Sequence, residues 1–164
     1  MPTVREILNR AKSGNEAVSM AGNVNFIHYD PNGNVLGEYD GHNVVVLTGL
    51  QNMAKLLLTD QSGVQFDYIA IGTSGTAAAT TDSALVAEDS RSAGAGTVTS
   101  TTLSEDTAQL QVTFAITGAD RAIAESGMFN TAAGAGTMLC RKTFSDINVS
   151  TGDSLQVTWK VKFA

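Results

Sequence analysis

Most of the side chains that reaction chemistry draws on are scarce in this chain. Among its 164 residues there are one cysteine, two histidines, two prolines and one tryptophan, and charged residues make up only 16%. A lone Cys140 excludes an intramolecular disulfide and argues against a thiolate metal site. Flanked by Leu139 and Arg141 in an apolar setting, it reads as a buried, inert thiol, and it leaves the redox compartment open. Basic residues are in deficit, and the net charge of −6 argues against binding nucleic acid or anionic membranes, which needs clustered Lys and Arg. No apolar run approaches the roughly 20 residues of a membrane span. The start of the chain, with Arg5, Glu6, Arg10 and Lys12 among spaced apolar residues, does not resemble a secretory signal.

What is abundant is glycine, threonine, serine and alanine, a composition that suits strands and turns more than a helical bundle. Leu110, Val112, Phe114 and Ile116 alternate with polar residues, and so do Leu155, Val157, Trp159, Val161 and Phe163. Both patterns predict half-buried strands. Further strands are expected at 23–30 and 35–39 around the Asn32-Gly33 hairpin signal, at 66–71, 97–103, 122–129 with a bulge at Gly127, and 137–144. Turn-punctuated strands without strand–helix alternation predict a mainly β fold. The architecture expected is an antiparallel two-sheet β-sandwich, with a jelly-roll-like arrangement as one option and strand order open.

Helical spacing interrupts this pattern in two or three places. Thr3-Val-Arg-Glu6 fits a capping box, and Val4, Ile7, Leu8 and Ala11 share one face of the helix that follows. About ten residues is marginal for an isolated helix, so it needs a surface to lie against: its own domain, or a neighbouring subunit as an arm. The chain accordingly divides into a helical arm, 1–14, and a sandwich domain, 15–164. A second capping box, Thr48 to Gln51, precedes Leu50, Met53, Ala54, Leu57 and Leu58 at helical spacing, read as a core-facing stripe. A short helix is expected near Asp82, followed by a polar loop over 89–96.

The stretch Phe66-Asp-Tyr-Ile-Ala-Ile-Gly-Thr-Ser-Gly-Thr76 runs from a strand through Gly72 and Gly75 toward that short helix. A glycine loop so placed is a candidate phosphate cradle, but it lacks the lysine and the spacing of a phosphate loop and is not G-x-G-x-x-G. Its glycines are read instead as backbone freedom where the chain leaves the sheet. Asp30, Asn32 and Asn34 alternate like the start of a calcium loop, yet Gly41 stands where the twelfth-position glutamate is needed. His28 and His42 are potential neighbours across the hairpin without a third ligand, so both are taken as structural or exposed. No nucleophile elbow or zincin motif occurs. Glu88 and Arg91, three apart, suit a pair at a helix end. Glu125, in an apolar strand, requires a buried partner, with Arg91 or Arg121 as candidates. Neither catalysis, a cofactor nor a metal is indicated.

In their order and spacing, several of these segments resemble structural proteins of tailed bacteriophages. They are the 66–76 stretch, Asp82-Ser-Ala-Leu85, Glu88-x-x-Arg91, Ile123-Ala-Glu-Ser-Gly-Met-Phe129, Gly136-Thr-Met-Leu-Cys-Arg141, Phe144-Ser-Asp-Ile147 and Asp153-Ser-Leu-Gln-Val-Thr-Trp159. The resemblance spans about residues 44–164. It implies a non-enzymatic virion part assembled in the host cytoplasm, without fixing capsid or tail, and the capsid surface is the favoured location. The absence of shaft repeats favours a capsid decoration (cement) protein that binds over seams of the major capsid protein and contacts neighbouring copies of itself. The alternatives are a tail or tail-fibre component and, from a different class, a carbohydrate-binding sandwich. The residues singled out for structural or interaction roles are Val4, Ile7, Leu8, Gly72, Gly75, Leu85, Glu88, Arg91, Glu125, Phe129 and Trp159.

Overall fold

The computed structural model describes residues 19–58 and 61–163, so the expected arm at 1–14 lies outside the described residues. Among the described residues, ten strands and one helix follow one another. They are β1 (Met20–Tyr29), β2 (Val35–His42), β3 (Val44–Val45), α1 (Leu47–Leu56), β4 (Tyr68–Gly72), β5 (Glu88–Ala93), β6 (Ala95–Thr99), β7 (Thr107–Ala115), β8 (Arg121–Phe129), β9 (Met138–Val149) and β10 (Ser154–Phe163). Two five-stranded sheets result, in the orders β2-β1-β10-β7-β6 and β3-β9-β8-β4-β5, and every pairing is antiparallel. The mainly β, two-sheet antiparallel architecture expected from the alternating patterns is thus the observed one.

Period-2 patterning decides which atoms meet between the sheets. Val24 and Phe26 of β1, Leu110, Val112 and Phe114 of β7, and Leu155, Val157, Trp159 and Val161 of β10 all point inward. They pack on Ile69 and Ile71 of β4, Ile123 and Met128 of β8, and Ile147 and Val149 of β9. Trp159 is fully buried, and its indole N–H donates to Ser126 Oγ at 3.1 Å, whose hydroxyl donates to the Ala70 carbonyl at 2.8 Å. A chain of two bonds thereby joins the sheets through the core and leaves no polar atom of the indole orphaned. First and last strands pair over ten residues, from Met20 opposite Phe163 to Tyr29 opposite Ser154.

The lateral edges are handled by strands that change sheets. β2 edges the first sheet, turns at Asn43 and continues as β3, an edge of the second; β5 edges the second sheet and passes through Gly94 into β6 at the far edge of the first. Corners of this kind let an edge strand's backbone turn inward from solvent. They explain why 89–96 is not the polar loop expected. Edge strands bury little, so Ser90, Arg91 and Ser92 can form a strand without an apolar pattern.

Four local expectations also change. The short helix near Asp82 is absent: residues 80–87 form turns and bends, because the Asp82 carboxylate accepts the Ala79 N–H at 2.9 Å and an arginine from β9. Helix α1 starts at Leu47 with Val46 as its N-cap and no side-chain cap, since the Thr80 carbonyl takes the Leu47 N–H at 2.9 Å. The supposed capping residue Thr48 instead donates to the Met138 carbonyl. The buried face of α1 is also rotated from the leucine stripe. Gly49 and Asn52 are buried and Met53 is partly so, whereas Leu50, Leu57 and Leu58 are exposed. Asn52 closes a two-bond clasp with the Val64 backbone. In β8 the register irregularities fall at Ile123/Glu125 and Met128/Phe129, not at Gly127.

The hairpin at 30–34 forms as its Asn-Gly signal predicts, with Gly33 at φ 83°. The Asp30 carboxylate accepts the N–H groups of Asn32 and Asn34, so it is engaged within its own turn. His28 faces Gly37 and His42 faces Asn23, so the histidines are not neighbours. His28 Nε2 lies 2.8 Å from Asp153 Oδ2 and ties β1 to the turn before β10. Among the described residues no helix is long and apolar enough to cross a membrane.

Asp106 closes the turn between β6 and β7. Backbone N–H groups of Leu103, Thr102 and Thr101 converge on its carboxylate, with help from the Thr107 hydroxyl, and hold its pKa well below the ordinary 3.8. A depressed acid contributes stability that is complete above its unfolded pKa and is lost as pH falls toward the native one. Acid titration of folding should therefore be shallower below about pH 4 in an Asp106→Asn variant than in the parent. Equal slopes in the two proteins, followed by circular dichroism, would contradict this role. Burial also pushes the Cys140 thiol up to about 12. A thiol-reactive dye should accordingly leave native protein unlabelled at pH 8 and label it once denatured.

Candidate functional site

The second sheet turns one face to the core and the other to the segment 73–87, which lies across it. Two charged side chains, Glu125 of β8 and Arg141 of β9, stand on this outer face, both wholly buried. Arg141 donates from Nε and Nη2 to Glu125 Oε2 at 3.0 and 2.7 Å, and from Nη1 to Asp82 Oδ2 at 2.8 Å. Its remaining donors reach the carbonyls of Thr76 and Ala77 at 2.9 and 3.4 Å. All five guanidinium N–H groups are then used. Glu125 in turn accepts the backbone N–H groups of Val86 and Ala87 at 3.1 and 2.7 Å. Burial alone would raise the Asp82 carboxyl, but the Ala79 N–H and the Arg141 guanidinium together hold it below its ordinary value.

Expected site residues gather around this pair. Leu85 is buried with Val46, Ala70, Phe129 and Met138 in a small apolar cluster beneath the segment. Arg91 stacks over Phe129 with its guanidinium carbon 3.7 Å from the ring centroid. It also grips Glu88 through two bonds of 3.0 and 2.6 Å and donates to the Thr131 carbonyl at 3.2 Å. Glu88 and Arg91 pair as their spacing suggests, but on an edge strand and not at a helix end. Neither Arg91 nor Arg121 is the partner of Glu125: Arg121 pairs with Asp89 at 2.7 Å, and Arg141 takes that place. Trp159 belongs to the other sheet and to the inner core, apart from this group. Val4, Ile7 and Leu8 lie outside the described residues.

Gly72 has a function different from the backbone freedom read for it. A Cβ there would stand 2.4 Å from the Ala87 carbonyl oxygen and 2.7 Å from Glu125 Oε1, so glycine is what lets the segment close over the carboxylate. Gly75 has open space around it and φ outside the left-handed region, and nothing local demands glycine. Arg141 and Asp82 are the participants that sequence reasoning missed. An arginine directly after the apolar Met138-Leu-Cys run, one strand on from an equally isolated Glu125, was the available signal.

Chemically the arrangement is closed. Glu125 is inaccessible and its oxygens are occupied by internal donors, so it is not placed to exchange a proton with a substrate. Among the described residues no group of three or more His, Cys, Asp or Glu side chains could hold a metal ion.

The outer face of the first sheet has the opposite character. Outward residues of β1, β10 and β7, including Asn23, Asn25, Gln156, Lys160, Gln109 and Gln111, line an open cleft of about 430 Å3 together with Glu38 and Asp40 of β2. Asn25 is bonded to Glu38 at 2.9 Å and Gln111 to Thr158 at 2.9 Å, which orients these two amides on the surface. A further, apolar cavity of about 520 Å3 opens between the sheets at one end of the sandwich. Compared with known proteins, the chain matches no family model, no curated protein and no solved structure.

The two glycines give a test of the closed segment. Gly72→Ala should cost about 1–3 kcal/mol by overpacking, whereas Gly75→Ala should stay within about 0.5 kcal/mol of the parent. Denaturant midpoints measure both, and equal effects at the two positions would refute the packing account.

Proposed function

We propose that the protein is a non-enzymatic virion structural protein of a tailed bacteriophage, acting as a capsid decoration protein that binds over seams between major capsid protein subunits. The observation that carries this reading is the contrast between the two outer faces. One is sealed by a segment locked over buried, fully paired charges. The other is an open polar platform across four strands of the first sheet, lined by amides, a threonine hydroxyl, two carboxylates and a lysine. An open hydrogen-bonding face, with no metal-binding cluster among the described residues, suits adhesion. Standard interfaces of about 800 Å2 per partner carry roughly one hydrogen bond per 100–200 Å2, which an amide-rich sheet face can supply. The order of motifs shared with phage structural proteins gives the same direction, and contacts repeated over a shell add up even when each is modest.

A carbohydrate-binding role is the second reading, favoured by the amide-lined cleft itself, although its lining contains no aromatic platform for a sugar ring. The two readings separate experimentally. Lys160 is exposed at the centre of the platform, so Lys160→Glu should leave thermal stability unchanged within about 0.5 kcal/mol. It should lower occupancy on undecorated phage shells, read by co-sedimentation and by electron microscopy, at least tenfold. Unchanged occupancy, or density for the protein only on the tail, would reject the capsid assignment. Specific hits on a glycan array that the same substitution abolishes would establish the second reading instead.

A further inference from the structure

The apolar cavity at the end of the sandwich has no part in the proposed function. Its lining comes from both sheets: Leu110 and Val161 from one, Met128 and Leu139 from the other. Met53 and Leu56 of α1 and Phe66 complete the apolar wall, and Val98, 62% exposed, stands in the lining of β6. An open concavity of this size with an apolar lining marks a place where something packs.

The position of the chain indicates what that is. Phe163 lines the cavity, and Met20, the first residue of β1, is its direct partner across the strand pair. Neighbouring strands lie about 4.8 Å apart, so the polypeptide preceding Met20 leaves the sandwich beside the cavity. Eighteen residues, 1–18, precede the described ones in the sequence. They contain Val4, Ile7, Leu8 and Ala11 at the spacing of one apolar helix face. The seven residues 13–19 can span up to about 23 Å, enough reach for the residues before them to meet the opening. Charge agrees as well: residues 3–12 carry Arg5, Arg10 and Lys12 against one acid, Glu6, while Asp67 belongs to the cavity lining of a chain with net charge −6.

We propose that the cavity is the seat of the chain's own N-terminal segment, with Val4, Ile7 and Leu8 inserted between the sheets. A short tether holds the segment at an effective concentration in the millimolar range, which favours the cavity of the same molecule over that of another copy. This seat is independent of what the polar platform binds.

Cross-linking in the full-length protein tests it. Leu8→Cys combined with Val98→Cys should form an intrachain disulfide on mild oxidation at micromolar concentration, seen as a mass loss of two hydrogens and a faster band on a non-reducing gel. The buried Cys140 thiol stays out of the exchange. Glu6→Cys with Val98→Cys, on the other helix face, should form none. Disulfide-linked dimers in place of the intrachain product would show that the segment occupies a neighbour and overturn the proposal, as would the absence of any cross-link. In a separate full-length variant, Ile7→Asp with Leu8→Asp should raise the fluorescence of an added anilinonaphthalene sulfonate several-fold, with the β circular dichroism unchanged. No rise in fluorescence would equally overturn it.

Discussion

The architecture of the second sheet depends on a buried ion pair. Moving a carboxylate and a guanidinium out of water costs several kcal/mol each, and their attraction offsets that only if the remaining donors and acceptors are also satisfied. Glu125 and Arg141 cannot satisfy each other completely, because Arg141 has five donors and only two of them reach Glu125. The shortfall is met by Thr76, Ala77, Asp82, Val86 and Ala87, all within the segment that connects β4 to β5. The pair therefore dictates where that segment must run. With the segment in place, Leu85 drops onto Phe129 and the Thr80 carbonyl is positioned to start α1. A buried pair of this kind adds little net stability over an apolar replacement, and its contribution is a single location for fifteen otherwise weakly structured residues.

The same economy appears at the edges. A sandwich of ten strands has four lateral edges, each a row of unpaired backbone groups. Here each pair of edges is one continuous run of chain, β2 into β3 and β5 into β6, so that the polypeptide bends from one sheet into the other. Edge strands so placed do not need two apolar faces. That is why β5 tolerates Glu88, Asp89 and Arg91, and why Arg91 can lie flat on Phe129 with its charge still answered by Glu88.

This also explains what could be read from the sequence. Strands with one face in the core, β7 and β10 above all, carry their position in their alternation, and Asn32-Gly33 marks the place of the hairpin turn, with Gly33 at positive φ. β5 was invisible because its strand character comes from its partner β4 and not from its own residues. Helix α1 was legible as a helix, yet its buried face was misread, since Asn52 is buried for its clasp on Val64 while Leu57 and Leu58 stay in solvent. At the site, Leu85, Glu88, Arg91, Glu125 and Phe129 were singled out together, and the structure places them on one face. What periodicity does not encode is long-range pairing. Asp82 lies 59 residues from Arg141, and only the closed segment brings them to 2.8 Å.

These constraints bear on where a partner can be recognised. Opening the outer face of the second sheet to a partner would strand Arg141 without the carbonyls and carboxylate that complete its shell, a cost of several kcal/mol before any contact is made. The outer face of the first sheet carries no such penalty: two of its amides are already oriented by the Asn25–Glu38 and Gln111–Thr158 bonds, and its cleft is open without rearrangement. Preorganised polar groups lose little entropy on binding, so a modest number of hydrogen bonds can yield useful affinity. The asymmetry between the faces thus follows from the buried charges themselves. By committing one face to its own charge network, the chain leaves the other as the face that can meet a partner at little conformational cost.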